Sequence, residues 1–170
     1  MNIRSLSCWS IFALSMVLLI PAAAIGQGMS ESSGRNAAAM KLTTIPPLPT
    51  CSKGSVESGD PSKEPSIIFV KTPAGCVIPW HWHTPNEHLM IVSGVARVEM
   101  KDGKPLTLTA GGFATMAGHH VHQFTCRQAC QFYVYSDGAF DLHYVNKKGD
   151  EITPAEALKA VRERAATEMK

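Results

Sequence analysis

Three candidate metal ligands crowded between two glycines constrain this chain more than any other stretch. Residues 75–94 read GCVIPWHWHTPNEHLMIVSG and contain His81, His83 and Glu87. Side chains alternate faces along a β-strand, so His81 and His83 share a face if the segment is extended. A turn-forming Thr-Pro-Asn triplet follows, and the run that begins at Glu87 indicates a second strand. The stretch predicts two neighbouring strands that bring Glu87 opposite the two histidines.

The spacing of these residues resembles the first signature of the cupin superfamily. That signature is a glycine, five residues, His-x-His, three residues, a glutamate, six residues and a glycine. Gly75 and Gly94 fill the two glycine places, and the two histidines and the glutamate fill the others. The resemblance implies an all-β fold, the cupin double-stranded β-helix or jelly-roll barrel. It also implies that His81, His83 and Glu87 hold one divalent transition metal ion.

The second cupin signature is matched in part. It reads glycine, five residues, Pro-x-Gly, two residues, histidine, three residues and asparagine. Counted from Gly111, the histidine place falls on His122, which the resemblance makes the fourth metal ligand. Ala117, His119 and Cys126 stand at the proline, glycine and asparagine places. These departures concern the turn before His122 and the mouth of the pocket.

Four further histidines need an interpretation. If its segment is extended, His120 shares a face with His122, near the place where cupin substrates enter. An imidazole there titrates near neutral pH and could transfer protons, which makes His120 the candidate catalytic residue. The alternative is a turn histidine exposed to solvent, and the same choice applies to His119. His88, beside Glu87, and His143, on a late strand, are interpreted as structural.

Short β-prone runs fill the middle of the chain without a helix among them, which favours an all-β sandwich or barrel. The runs lie at 67–70, 87–92, 95–100, 106–109, 113–116, 122–126, 131–136 and 140–145. Asp102-Gly103 between two of them predicts a hairpin. Candidates for the barrel lining are Ile91, Met116, Phe124, Phe132, Tyr133 and Tyr135. Such a lining would favour an apolar or aromatic substrate. The alternative is that these residues form the core that every β-barrel needs.

The end of the chain predicts a short helix. Thr153 and Glu156 are spaced as a capping box, with Pro154 at the first helical position. The predicted organisation is a signal peptide at 1–26, a flexible leader at 27–42, a cupin barrel at 43–150 and a C-terminal helix at 151–170.

The first residues predict export. Arg4 precedes an apolar run at 8–20 and a stretch of small residues, a pattern typical of a cleaved signal peptide. The alternative, a membrane anchor, needs about 20 apolar residues. We therefore expect a periplasmic or secreted protein with no membrane contact after cleavage. Cleavage takes the net charge from +2 to +1, which gives no electrostatic case for binding nucleic acid or an anionic membrane.

Four cysteines remain after the predicted cleavage, and an even number in an exported chain suggests disulfides. Cys126 and Cys130 bracket a short polar segment and could face each other across a hairpin, which would leave Cys51 to pair with Cys76. The alternative makes Cys126, on the face of His122, a thiol in the pocket or a soft metal ligand.

Three histidines and one glutamate suit first-row divalent ions and leave coordination positions for water, dioxygen or a bidentate substrate. Cupins with these ligands use manganese, iron, nickel, zinc or copper. The resemblance implies a metal-dependent enzyme, dioxygenase-like or related, that acts on a small organic molecule. Two alternatives remain: a non-catalytic module that binds or senses a small ligand, and a barrel in which the ion only stabilises the fold. Single-domain cupins are often homodimers, and Trp80 and Trp82, opposite the ligands, would suit that contact.

Overall fold

Nine β-strands form one curled antiparallel sheet in residues 32–168, the part of the chain that the computed structural model describes. The strands are β1 (Thr43–Thr44), β2 (Lys53–Ser58), β3 (Ser66–Thr72), β4 (Val77–Trp82), β5 (Glu87–Met100), β6 (Leu106–Leu108), β7 (Phe113–Met116), β8 (His122–Ser136) and β9 (His143–Tyr144). A 3-10 turn at Ala37–Ala39 precedes them and helix α1 (Pro154–Glu168) follows. The predicted all-β barrel with a short C-terminal helix is confirmed.

Strands β5 and β8 organise the barrel. They contain 14 and 15 residues and pair antiparallel from Glu87 opposite Ser136 to Met100 opposite His122. Strand β3 pairs with the second part of β8 and β4 with its first part, while β6 and β7 pair with β5. The two long strands therefore carry the chain through both halves of the sheet. Buried side chains alternate along them, as the period of a half-buried strand requires.

Each long strand continues through a point where the sequence indicated a break. Gly94 has a φ of +86°, and a Cβ there would overlap the carbonyl of Ala129 and lie 2.7 Å from the carbonyl oxygen of Gln128. The pairing register shifts on both sides of Gly94. Since this irregularity absorbs the change of direction, 87–92 and 95–100 form one strand, and so do 122–126 and 131–136.

The predicted disulfide between Cys126 and Cys130 is wrong, whereas the predicted disulfide between Cys51 and Cys76 is confirmed. Cys51 and Cys76 form a disulfide, whereas Cys126 and Cys130 are free and buried. Each free thiol donates a hydrogen bond to the carbonyl of Gln128 at 3.0 Å. The reason is the pairing of β8 with β5: the intervening residues stay within β8 and do not form the hairpin that would place the two cysteines opposite each other.

The remaining expectations divide into three groups. The β5–β6 hairpin and the C-terminal helix are confirmed, the helix with its capping box between Thr153 and Glu156. Strands β1 and β2 were not predicted, and of 140–145 only β9 is a strand. The signal peptide lies outside the described residues, and the domain boundaries stay predictions. Within residues 32–168, no helix has the length and apolar character to cross a bilayer.

Candidate metal centre

Four side chains converge at one end of the barrel, as the sequence predicted. His81 lies near the end of β4 and His83 follows that strand, while Glu87 and His122 are the first residues of β5 and β8. One ligand atom from each lies within 4.8 Å of the others, and all four residues are buried. The pairing explains this convergence, because His81 is the direct partner of His122 across β4 and β8. We call these four residues the cluster.

The three imidazoles are oriented in the same way. Nδ1 of His81 lies 2.6 Å from the carbonyl oxygen of Pro79, and Nδ1 of His122 lies 2.8 Å from that of His120. Nδ1 of His83 contacts the carbonyl oxygen of Asp141. A carbonyl can only accept, so each Nδ1 carries the proton and donates it. In a neutral ring Nε2 is then the unprotonated nitrogen, which is the form that binds a metal.

Glu87 faces two of these Nε2 atoms at short range. Its Oε2 lies 3.2 Å from Nε2 of His122 and 3.5 Å from Nε2 of His83. Nε2 of His83 is buried without a hydrogen-bond partner. When the imidazoles are neutral, nitrogen lone pairs face a carboxylate oxygen, and only a proton or a cation between them makes that arrangement favourable.

The pKa values in the cluster are shifted by burial and by the neighbouring charged groups. Burial lowers the pKa of His81 well below its usual value, and its two histidine neighbours add to that effect. Burial opposes charge on Glu87 as well, but His83 and His122 outweigh it and hold the pKa of the carboxyl well below its usual range. Burial alone would lower the pKa of His83, yet the Glu87 carboxylate raises it overall. The cluster therefore favours an ionised Glu87 beside a neutral His81.

A narrow cavity opens beside the cluster. All four cluster residues line it, together with eleven aliphatic or aromatic side chains from the described part of the chain. The centre of a water-sized sphere can occupy about 30 Å³ inside it. A single water needs about 10–15 Å³ on this measure, so the cavity holds about two. Two residues of this lining, Phe124 and Phe132, were predicted.

The other lining predictions have different outcomes. Ile91 and Met116 are buried in the core but do not line the cavity. Tyr133 and Tyr135 alternate with the inward residues of β8 and contact Phe69 and His88. Cys126 is buried in the core, and the cavity lining does not include it. Four lining residues in irregular segments were not predicted, because no periodicity marks them: Ile45, Leu48, Phe140 and Leu142.

His119 and His120 lie in a turn, so the extended segment assumed for His120 is not formed. The cavity lining does not include His120. The main-chain carbonyl oxygen of His120 is the atom that contacts His122. Its proton-transfer role stays a prediction. His119 takes the place of the signature glycine with a φ of +60°, and its ring lies 4.6 Å from that of Trp82.

The outer face carries a second group of rings. Trp82 stacks on His143 with ring centroids 3.9 Å apart and planes 5° from parallel. Nε2 of His143 lies 3.3 Å from Oδ2 of Asp141, the residue whose carbonyl orients His83. His88 points away from the cluster and contacts Thr115 at 3.1 Å. The structural interpretation of His88 and His143 agrees with these contacts, and the homodimer at Trp80 and Trp82 stays a prediction.

Comparison with known proteins identifies a matching family and several solved structures of similar fold. The family model described as "Cupin domain" matches residues 68–136, which include all four cluster residues. No curated protein sequence matches the chain. Among solved structures, a polyketide cyclase from Streptomyces resistomycificus is 14% identical with a TM-score of 0.60, over 68% of this chain and 87% of the other.

Two further structures are similar. A putative acetylacetone dioxygenase from Methylibium petroleiphilum is 17% identical with a TM-score of 0.56, over 74% of this chain and 91% of the other. A DMSP lyase from Ruegeria pomeroyi is 19% identical with a TM-score of 0.55, and the match covers 66% of this chain and 64% of that lyase. Identities this low establish the shared fold and no shared reaction.

Proposed function

This chain belongs to the cupin superfamily, and we propose that it is an exported metal-binding cupin, a dioxygenase-like or related metal-dependent enzyme that acts on a small organic molecule. Its cofactor is one divalent transition metal ion, with manganese, iron, nickel, zinc and copper as the candidates. His81, His83, Glu87 and His122 would hold the ion.

One observation carries this proposal: three buried imidazoles and one buried carboxylate each bring a ligand atom to within 4.8 Å of the others. Their Nδ1 atoms are engaged by main-chain carbonyls, so the rings cannot turn to relieve the contact without losing those hydrogen bonds. Nε2 of His83 has no hydrogen-bond partner, although it is buried. A divalent ion would satisfy these atoms together, and imidazole with carboxylate is a donor set that first-row ions prefer.

An ion held there supplies Lewis acidity and exchangeable coordination positions, which suit dioxygen or an oxygen-bearing substrate. The surrounding residues of the chain do the rest. The carbonyls of Pro79, Asp141 and His120 fix the imidazoles. The apolar wall excludes bulk water, which strengthens electrostatic interactions at the cluster. The dioxygenase-like assignment rests on this combination of ligand set and apolar cavity, and on analogy.

The test uses metal-free protein reloaded separately with each candidate ion. Oxygen consumption and product formation are measured with a panel of small ketones, enols and phenols. We expect turnover with at least one ion, and none in the His122→Ala variant, while His88→Ala, on the outer face, keeps it. Ligand binding without turnover by any ion would instead support the non-catalytic module. Full turnover by the metal-free protein would reject the proposal.

Export is part of the proposal and has separate support. A disulfide such as Cys51–Cys76 persists in oxidising compartments. Fractionation of cells that express the full chain should place the protein in the periplasm or medium, with a mass reduced by about the first 26 residues. Protein of full mass in the cytosolic fraction would contradict this assignment. Sedimentation of the same material measures the mass of the assembly and so tests the predicted homodimer.

A further inference from the structure

Among the described side chains, the walls of the cavity offer a charged ligand no partner except the cluster. Fifteen residues of the described part of the chain line the cavity; eleven are aliphatic or aromatic, and the other four form the cluster. No lysine or arginine from residues 32–161 lines the cavity. A charge buried away from the cluster would lose its hydration without gaining a hydrogen bond or an opposite charge, which is costly.

The mouth of the cavity is apolar as well. The half-buried lining residues are Ile45 and Leu48, before β2, and Phe140 and Leu142, before β9. Asp141 lies between the latter two, but its carboxylate is already engaged. Oδ1 accepts a hydrogen bond from the Thr84 amide at 2.7 Å, and Oδ2 lies 3.3 Å from His143. A charged ligand tail would therefore meet hydrocarbon where the described residues form the mouth.

We propose that the molecule bound in this cavity has one oxygen-bearing polar end, which meets the cluster, and a short uncharged hydrocarbon remainder. This inference rests on the proposed function and deepens it by naming the substrate class. A monoacid, a ketone or a phenol belongs to the class, since its single polar group is compensated at the cluster. Diacids, zwitterions and sugars do not belong, because their second polar group would be buried unpaired.

The space available limits the size of this molecule. Room for about two water centres accommodates only a few heavy atoms. A somewhat longer molecule requires displacement of the half-buried side chains at the mouth, among them Leu48 and Phe140. Probes with about six or seven non-hydrogen atoms therefore suit the test, because they place the tail next to these residues.

The test compares two ligands of equal size. Pentanoate and 4-aminobutanoate share the carboxylate end. At the other end pentanoate has a methyl group and 4-aminobutanoate has an ammonium group. Titration calorimetry on the metal-loaded full-length protein should give about tenfold or more tighter binding of pentanoate. Equal affinities, a preference for 4-aminobutanoate, or no binding of either ligand would overturn the inference.

A variant at the mouth makes the comparison specific to the cavity. Leu48→Glu adds a carboxylate next to the tail, and Leu48→Gln is the uncharged control. We expect Leu48→Glu to reduce or reverse the preference for pentanoate, since the new carboxylate can pair with the ammonium group of 4-aminobutanoate. Leu48→Gln should still bind pentanoate more tightly. Circular dichroism confirms that both variants fold. An unchanged preference in folded Leu48→Glu would show that the tail lies elsewhere and would overturn the inference.

A third pair separates this inference from the metal proposal. Pentan-1-ol and butane-1,4-diol have the same number of non-hydrogen atoms and carry no charge, so both can be tested on metal-free protein by ligand-observed NMR. A preference for pentan-1-ol supports an apolar cavity even if the protein takes up no metal, in which case only the proposed function fails. A preference for the diol overturns the inference, whatever the metal content.

Discussion

Nδ1 of His122 donates a hydrogen bond to the main-chain carbonyl oxygen of His120, 2.8 Å away. The contribution of His120 to the cluster is thus made by its backbone. We predict that His120→Ala retains the metal content of the unsubstituted protein, because the carbonyl remains, whereas His122→Ala loses most of it. Metal content is measured after dialysis against a weak chelator.

The same variant tests the proton-transfer role predicted for His120. With metal content unchanged, a fall in turnover and a changed pH profile in His120→Ala would support that role. A loss of metal in His120→Ala comparable to that in His122→Ala would contradict our view that only the backbone of this residue matters for the cluster.

Removing the Cys51–Cys76 disulfide should destabilise the fold. The bond closes a loop over a sequence separation of 25 residues, for which the loss of chain entropy in the unfolded state gives on the order of 3 kcal/mol. We expect the double variant Cys51→Ser, Cys76→Ser to lower the free energy of unfolding by an amount of this order in urea titrations. An unchanged midpoint and slope would show that the bond does not form in the purified protein.

The free thiols of Cys126 and Cys130 should be unreactive in the folded protein. Both are buried, and burial together with the Cys126 thiol raises the pKa of Cys130 to about 12. Because the thiolate is the reactive form, we expect a thiol reagent at pH 8 to modify neither residue until the protein is unfolded, when both react. Fast modification of the native protein would contradict the burial. Absence of any reactive thiol after unfolding would instead support the predicted disulfide between Cys126 and Cys130.

His119 adopts a backbone conformation that favours glycine. Its φ of +60° costs a residue with a Cβ about 1 kcal/mol or more. His119→Gly should therefore leave stability unchanged or raise it, although the ring contact with Trp82 is lost, whereas His119→Val should lower it because a β-branched residue tolerates this conformation poorly. Thermal melts compare the two variants. Equal melting temperatures would show that the conformation carries no strain.

The sequence predicts the cluster well because its information is local. His81, His83 and Glu87 are joined by one strand and one turn, so period-two alternation places them without knowledge of the rest of the chain. His122 comes from a distant strand, and the spacing of the second signature locates it. The capping box at Thr153 is similarly local, and the hydrogen bonds between Thr153 and Glu156 confirm it.

The misplaced features depend on contacts between distant residues. The continuity of β8 past residue 126 follows from its pairing with all of β5, which no short window reveals. The same pairing keeps Cys126 and Cys130 from facing each other across a hairpin. Ile45 and Leu48 line the cavity because the segment that carries them is fastened to the barrel by the nearby disulfide and by the hydrogen bond from Tyr144 to Pro47. Neither attachment has a periodic signature.

The central claim is that His81, His83, Glu87 and His122 bind one metal ion. Elemental analysis tests it most directly, on protein purified from an oxidising compartment without added metal, beside the His81→Ala variant and the outward-facing control His88→Ala. We predict about one manganese, iron, nickel, copper or zinc ion per chain in the unsubstituted protein and the control, and little in His81→Ala. Absence of metal from the folded, unsubstituted protein, or equal metal in His81→Ala, would contradict the account.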